Sequence, residues 1–375
     1  MDGAQHAIDC KLQQLLQTMI DVEASDLHLV CGYRPTYRIH GRLRAAETAD
    51  LDEATVRDMI DSVLPQRARE SQDRPKNLDF SVAIDHGGTT HRFRTNLFIA
   101  HGRPGACVRH IPNQVPSFEW LTFPRTLADR LVHLSAGLVI MTGITGSGKT
   151  TSLAALVSLL NDEGGCRIIT VEEPIEYVYP TRPDSVITQR EVGTDVDSFY
   201  DGLKYGLRQD PDVVLVGEIR DRETAQMAIS AAETGHLILT TMHTKDAKGA
   251  ITRLVDLFPQ ESQDDVRTQL SLSLRYVVAQ HLVPSTTPGE RRALALEVMV
   301  VTDPVRAAIR FGKIESIDTA IQTGKRGGMV TLDDSLQSLL SAGRITLDTA
   351  RRYAKDPDAL VPPNHSSRGR AKTTA

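Results

Sequence analysis

The sequence predicts an α/β protein. A phosphate-loop core on a parallel sheet is preceded by a smaller α+β domain and followed by a helical extension. Two observations carry this. From about Phe123, short apolar segments alternate with helical stretches, which is the pattern of a parallel sheet with crossover helices. Within it, Gly143-Ile144-Thr145-Gly146-Ser147-Gly148-Lys149-Thr150 fits G-x-x-x-x-G-K-[ST] at each fixed position.

The first domain is expected over residues 1–111. Ile8, Leu12, Leu15, Leu16, Met19 and Ile20 recur at helical spacing. Leu27 to Val30 and Tyr37 to His40 read as strands around a turn at Gly32 to Pro35. Asp52 is placed to cap a helix carrying Val56, Met59, Ile60 and Val63. Asp79 to Ile84 and His91 to Ile99 flank Asp85-His86-Gly87-Gly88, a hairpin turn. A polar, proline-bearing linker follows over 112–122. The core occupies 123–300, with strands at 137–142, 167–172, 213–217 and 236–241. Helices are expected from Ala247 to Leu257 and Asp264 to Leu282, then a strand from Ala293 to Val300. Helices resume from Pro304 through 355. The tail, 356–375, is rich in Pro, Ser, Arg and Lys and is expected to be disordered.

Composition removes several classes. A chain of 375 residues with 40% hydrophobic and 24% charged residues is an ordinary globular protein large enough to need no staples. A net charge of −5 gives no basic field for nucleic acid or anionic lipid. The four cysteines, Cys10, Cys31, Cys107 and Cys166, form no C-x-x-C pair. Asp2, His6 and Asp9 near the start are not a secretory leader, and no apolar run reaches the ~18 residues of a membrane span. The expected location is cytoplasmic, with any membrane association through partners.

The loop names ATP as ligand. It follows the apolar run Gly137 to Met141 and opens into a helix from Thr151. Glycines let backbone N–H groups wrap phosphate oxygens, and the helix N-terminus adds its positive dipole end. Lys149 can reach the β- and γ-phosphates and the Thr150 hydroxyl can ligate Mg²⁺. Gly143, Thr145, Gly146, Ser147, Gly148, Lys149, Thr150 and Thr151 are the expected nucleotide-binding residues. Hydrolysis also needs acids and positive charge. Glu172 and Glu218 close two core strands, where carboxylates lie near a nucleotide. Glu218 stands at the Walker B position, with Glu where many ATPases have Asp. His243 ends a further strand, where a γ-phosphate sensor belongs; the other reading pairs it with His236 as metal ligands. Strand alternation puts Arg92, Arg94 and Asn96 on one face, with Arg109 on the next strand. These arginines are either solvated edge charges or a finger for a neighbouring subunit.

Six ordered motifs together resemble a known family, the ATPases of type II/IV secretion systems. The resemblance is closest to the type IV pilus retraction ATPases, the PilT and PilU group. The motifs are Ala24-Ser25-Asp26-Leu27-His28-Leu29, Thr142 to Thr151, Thr170 to Glu176, Gln189 to Gly193, Leu207 to Asp221, and Ala231 to Thr244. The resemblance implies a homo-hexamer with a PAS-like N-terminal domain and a RecA-like core, using ATP and Mg²⁺. It implies that Glu172 activates water, Glu218 organises Mg²⁺ and water, His243 senses nucleotide, and Arg94 and Arg109 close on the phosphates. Its implied partners are an inner-membrane pilus platform protein and a paralogous retraction ATPase, not nucleic acid. It implies a motor for twitching motility, peripheral to the inner membrane through the pilus machine. An assembly or type II secretion ATPase, an accessory nucleotide-binding subunit and a DNA translocase are the alternatives. The chain departs from the family pattern at Ile144, Glu173, Thr240 to Met242 and the segment 303–310, which keeps only the spacing of Arg306 and Arg310.

Overall fold

The computed structural model describes residues 8–39, 41–70, 75–111, 114–286 and 291–362. Asp2, His6, His40 and the linker residues Pro112 and Asn113 lie outside them. The chain forms two compact units. The first is Met1–Val115 with Pro174–Val178; the second is Pro116–Glu173 with Tyr179–Ala375.

In the first unit the helix Cys10–Asp21 is capped by Asp9, whose carboxylate accepts from the N–H groups of Lys11 and Leu12. Its apolar face buries Leu12, Leu15, Leu16 and Met19. Asp52 caps Glu53–Val63 by accepting from Thr55 N, as its position predicted. These helices share one core with a six-stranded antiparallel sheet: β1 (Asp26–Val30), β2 (Thr36–Ile39), β3 (Arg42–Ala45), β4 (Asn77–His86), β5 (Thr89–Ala100) and β6 (Arg103–Ile111). The strand order is β3-β2-β1-β6-β5-β4. The β4–β5 ladder runs further than the sequence pattern suggested. Gly87 and Gly88 both take positive φ, 59° and 78°, so a two-residue turn lets pairing continue to His86 and Thr89. β5 buries Phe93, Thr95 and Leu97, and turns Arg92, Arg94 and Asn96 to the other face. β3 escaped the sequence reading because all four of its residues are exposed and show no apolar alternation.

Asp26 is the electrostatic pin of this sheet. Its side chain is 8% exposed, and its Oδ1 accepts from Arg109 Nε at 2.8 Å, across the β1–β6 register. Ser25 Oγ donates to its other oxygen at 2.8 Å. Burial pushes the carboxyl pKa up, but the bonds from Arg109 and Ser25 outweigh it and hold it below the ordinary 3.8. A carboxyl depressed in the folded state stabilises above its unfolded value and loses that contribution as pH falls through the folded value. Asp26→Asn is therefore expected to destabilise the protein by about 1–3 kcal/mol at neutral pH. Below pH 3 the difference shrinks. Thermal melts of both proteins across pH 2.5–7, a range spanning the usual carboxylate titration, check this; a gap independent of pH refutes it.

The second unit is built on a seven-stranded sheet. Its strands are β7 (Gly137–Thr142), β8 (Cys166–Glu172), β9 (Ser185–Glu191), β10 (Val213–Val216), β11 (Leu237–Met242), β12 (Leu274–Val283) and β13 (Ala293–Val300). The order is β13-β12-β7-β11-β10-β8-β9, and every pair is parallel except β12–β13. All residues of β7, β10 and β11 are buried, as in strands covered on both faces.

Three expectations are corrected. The single helix from Asp264 to Leu282 does not form: helix Gln263–Ser273 gives way to β12. Apolar residues buried on both faces carry no period that separates strand from helix, and the β-branched Val277 and Val278 settle on the sheet. The edge strand β9 went unseen because its middle, Thr188-Gln189-Arg190, is polar. The tail is ordered at its start, where Pro357–Ala359 forms a 3₁₀ turn and Leu360 is buried; residues 363–375 lie outside the described residues. Within the segment read as linker, Ser117 caps a one-turn helix, Phe118–Leu121. After β13 come helices Asp303–Arg310, Ser316–Thr323, Leu332–Ser341 and Leu347–Tyr353.

Candidate functional site

The strand order puts β11 and β10 between β7 and β8, so the chain leaves β7 and returns three strands away. The carboxyl ends of these parallel strands form the crevice where such sheets take ligands. The phosphate loop fills the gap between β7 and the helix Lys149–Glu163. Gly143, Gly146 and Gly148 all have positive φ. Two of these positions leave no room for a side chain. A Cβ on Gly143 would lie 2.4 Å from Gln280 O, and one on Gly148 would lie 2.9 Å from Gln280 Nε2.

Gln280, on β12, is buried and donates its amide to Ser147 O at 2.8 Å. It therefore holds the loop from below. Sequence reasoning missed it because that segment was read as helix. Arg292 donates to Gly146 O at 3.1 Å, a second restraint with no local signal in the sequence. Lys149 is 6% exposed, and its Nζ donates to Gly143 O at 2.8 Å and Ile144 O at 3.2 Å. The ammonium thus lies across its own loop.

Ser147 Oγ is buried without a hydrogen-bond partner among the described residues. An orphaned hydroxyl, a glycine cradle and a helix N-terminus fit an oxyanion ligand. Gly148→Ala puts a Cβ in the left-handed region, at about 1–2 kcal/mol, and against the Gln280 amide. Nucleotide affinity, read by fluorescence titration, is expected to fall about tenfold, equivalent to ~1.4 kcal/mol. Unchanged affinity would contradict the cradle's tightness.

Two acidic strand tips face this loop's edge of the sheet. Glu172 ends β8 and is 5% exposed. Its Oε1 accepts from Thr170 Oγ1 at 2.6 Å and from Gln189 Nε2 at 3.3 Å. Gln189 comes from β9, the strand the sequence did not reveal. Glu218 lies two residues beyond β10. One of its oxygens pairs with Arg220 Nη2; the other is 3.4 Å from His243 Nε2. Arg220 also reaches Glu173 Oε2 at 3.1 Å. Glu173, Arg220, Glu218 and His243 therefore form one polar chain across the tips of β8, β10 and β11. Thr244 N donates to Thr142 Oγ1 at 3.0 Å, which ties the His243 turn to the end of β7.

The pair His236 and His243 is not brought together. The two residues flank β11 at opposite ends, ~20 Å apart at about 3.3 Å per residue, and His236 Nδ1 sits 3.1 Å from Ala231 O. No group of three or more His, Cys, Asp or Glu able to hold a metal occurs among the described residues. Arg94 and Arg109 belong to the first unit, directly opposite each other on β5 and β6. Arg94 Nε lies 3.3 Å from Asp79 Oδ1, and Arg109 is held by Asp26. Arg208, also in the core's third strand motif, rests on the Tyr205 ring at 5.9 Å.

Fold and loop together define an α/β protein of the phosphate-loop class. The chain belongs to the Type II/IV secretion system protein family, whose pattern matches residues 3–347. It is 39% identical over 326 residues to a twitching motility protein of Neisseria gonorrhoeae, covering 87% of this chain and 86% of that one. It is 39% identical over 347 residues to the type IV pilus retraction ATPase PilT of Pseudomonas aeruginosa, covering 92% and 99%. The crystal structure of a pilus retraction motor, PilT with bound ADP, superposes with a TM-score of 0.83 at 36% identity, covering 92% and 97%. No helix among the described residues is long and apolar enough to cross a membrane.

Proposed function

We propose that the chain is a Mg²⁺-dependent ATPase motor of the type IV pilus retraction class. The observation that carries this reading is the juxtaposition, on one sheet edge, of the Lys149 loop with the carboxylates of Glu172 and Glu218. The loop N–H groups and Lys149 bind the phosphates, with Thr145, Ser147 and Thr151 completing the cradle. Thr150 and Glu218 are the residues that would hold Mg²⁺, which supplies charge neutralisation at the phosphate oxygens. Glu172, fixed by Thr170 and Gln189, accepts the proton of the attacking water. His243, joined to Glu218, reports the state of the phosphates to the sheet edge.

In this reading Arg94 and Arg109 supply positive charge from the N-terminal, PAS-like unit within a homo-hexamer. Their rigid mounting on adjacent strands suits a group that must arrive in one orientation. Closure and reopening of that unit converts hydrolysis into rotation. The work is passed to a membrane platform protein from the cytoplasmic side, and a paralogous retraction ATPase is a candidate companion. Similarity to the retraction ATPase over nearly its whole length supports this class. Deletion of the gene tests it: surface pili in excess, without twitching, are expected. Bare cells would assign the chain to pilus assembly instead.

A further inference from the structure

The turn carrying His243 is pinned residue by residue. Thr244 bonds Thr142, with its Oγ1 also donating to Asp246 O at 3.1 Å. Lys245 O accepts from His281 Nε2 at 2.9 Å. Asp246 caps the helix Ala247–Val255 through Gly249 N at 2.7 Å. Ala247 N donates to Glu297 Oε1 at 2.9 Å. Glu297 lies on β13 and its side chain is 3% exposed. A carboxylate so far from water is costly to bury unless it is paired with a cation. That cation is Lys355, whose Nζ donates to Glu297 Oε2 at 2.7 Å and lies 3.3 Å from Asp318 Oδ1 and 4.0 Å from Asp246 Oδ2.

Lys355 does not belong to the phosphate-loop core by sequence. It sits in the C-terminal segment after helix Leu347–Tyr353. Three features set that segment in place. The N–H groups of Lys355 and Asp356 donate to the two oxygens of Asp333, at 2.8 and 3.0 Å. Gln337 bonds both the N–H and the carbonyl of Val361. Leu360 packs with Val283, Ala293 and Ala295. Burial by itself pushes the Lys355 pKa down. Glu297, Asp318 and Asp246 overcome this and hold it above the ordinary lysine value, so the ammonium is charged throughout the neutral range.

We propose that Lys355 is a positioning residue for the nucleotide site: by neutralising Glu297 it fixes the Ala247 cap and thereby the His243 turn beside Glu218. The C-terminal segment is then a strap whose seating sets how firmly that turn is held. The link to ATP turnover rests on the function proposed above; the link to the turn does not.

The test uses the full chain and two readouts. In Lys355→Met, hydrogen exchange of residues 243–249 is expected to speed up, while β7 and β10 exchange as in the wild type. Turnover is expected to fall about tenfold with KM for ATP little changed, below the roughly hundredfold that a 1 Å displacement can cost. Wild-type exchange at 243–249 overturns the proposal, whether or not the protein hydrolyses ATP. Faster exchange with kcat unmoved overturns the catalytic link. If Lys355→Met unfolds, Lys355→Gln, which removes the charge but keeps a polar end, is read by the same criteria. A wild-type chain without ATPase activity refutes the proposed function, and the exchange readout still decides the strap.

Discussion

Lys149→Ala is expected to reduce ATP turnover to the assay background, a loss of at least ~10²–10³-fold on the scale of removing one preorganised electrostatic donor. The reason lies in where the ammonium is stored. At 6% exposure it is already desolvated and held by two loop carbonyls, Gly143 O and Ile144 O. Exchanging those carbonyls for phosphate oxygens does not require stripping water from the charge, so the full interaction is available in a low-dielectric place. Alanine removes the charge and leaves both carbonyls short of a donor. Each of these bonds has a charged donor and contributes about 1.5–3 kcal/mol, which a melting curve will register. Steady-state phosphate release at saturating Mg-ATP is the measurement. Wild-type turnover in a folded Lys149→Ala protein would end the placement of the phosphates at residues 143–150.

Glu172→Gln is expected to lower turnover by about 10²–10⁴-fold, the range for losing a positioned general base, while nucleotide still binds. This substitution is the cleaner of the two. Both bonds from Thr170 and Gln189 fall on Glu172 Oε1. A glutamine keeps a carbonyl oxygen there and so keeps the geometry, but it cannot take a proton. The phosphate cradle, built from β7, β12 and the loop, does not involve Glu172. Bound ATP is therefore expected to accumulate, seen as retained triphosphate after gel filtration. Normal hydrolysis in Glu172→Gln would move the base role to another carboxylate, with Glu218 the next to test.

The placement of the two largest pieces of the candidate site was legible in the sequence. The loop was legible because a phosphate cradle needs glycine, lysine and a hydroxyl residue at fixed short spacing, so its chemistry is written in eight consecutive residues. The acids were legible because an apolar run ending in Glu places that side chain at a strand tip. Arg92, Arg94 and Asn96 sharing a face followed from the period of two. His236 and His243 were read as a possible pair only because seven residues look near in sequence; an extended strand holds them at opposite ends.

The supporting partners were not legible. Gln280, Gln189 and Arg292 come from segments whose local pattern was ambiguous or silent, and Glu297 lies on an expected strand that gives no local sign of its partners. A strand buried on both faces has no alternation to detect, as in β12, and a polar edge strand has no apolar run, as in β9. Lys355 fell just ahead of a stretch whose composition suggested disorder, yet the segment is held by Asp333, Gln337 and the pocket under Leu360.

What the amino-acid sequence by itself determined was the glycine-rich loop, the acidic strand tips and the alternation of strands and helices, because all depend on neighbours within a few residues. What only the tertiary structure decided was which distant groups restrain that chemistry: Gln280 beneath the loop, Gln189 beside Glu172, and Lys355 behind the His243 turn. The physical reason is that hydrogen bonds and ion pairs act over about 3 Å in space and carry no trace of separation along the chain.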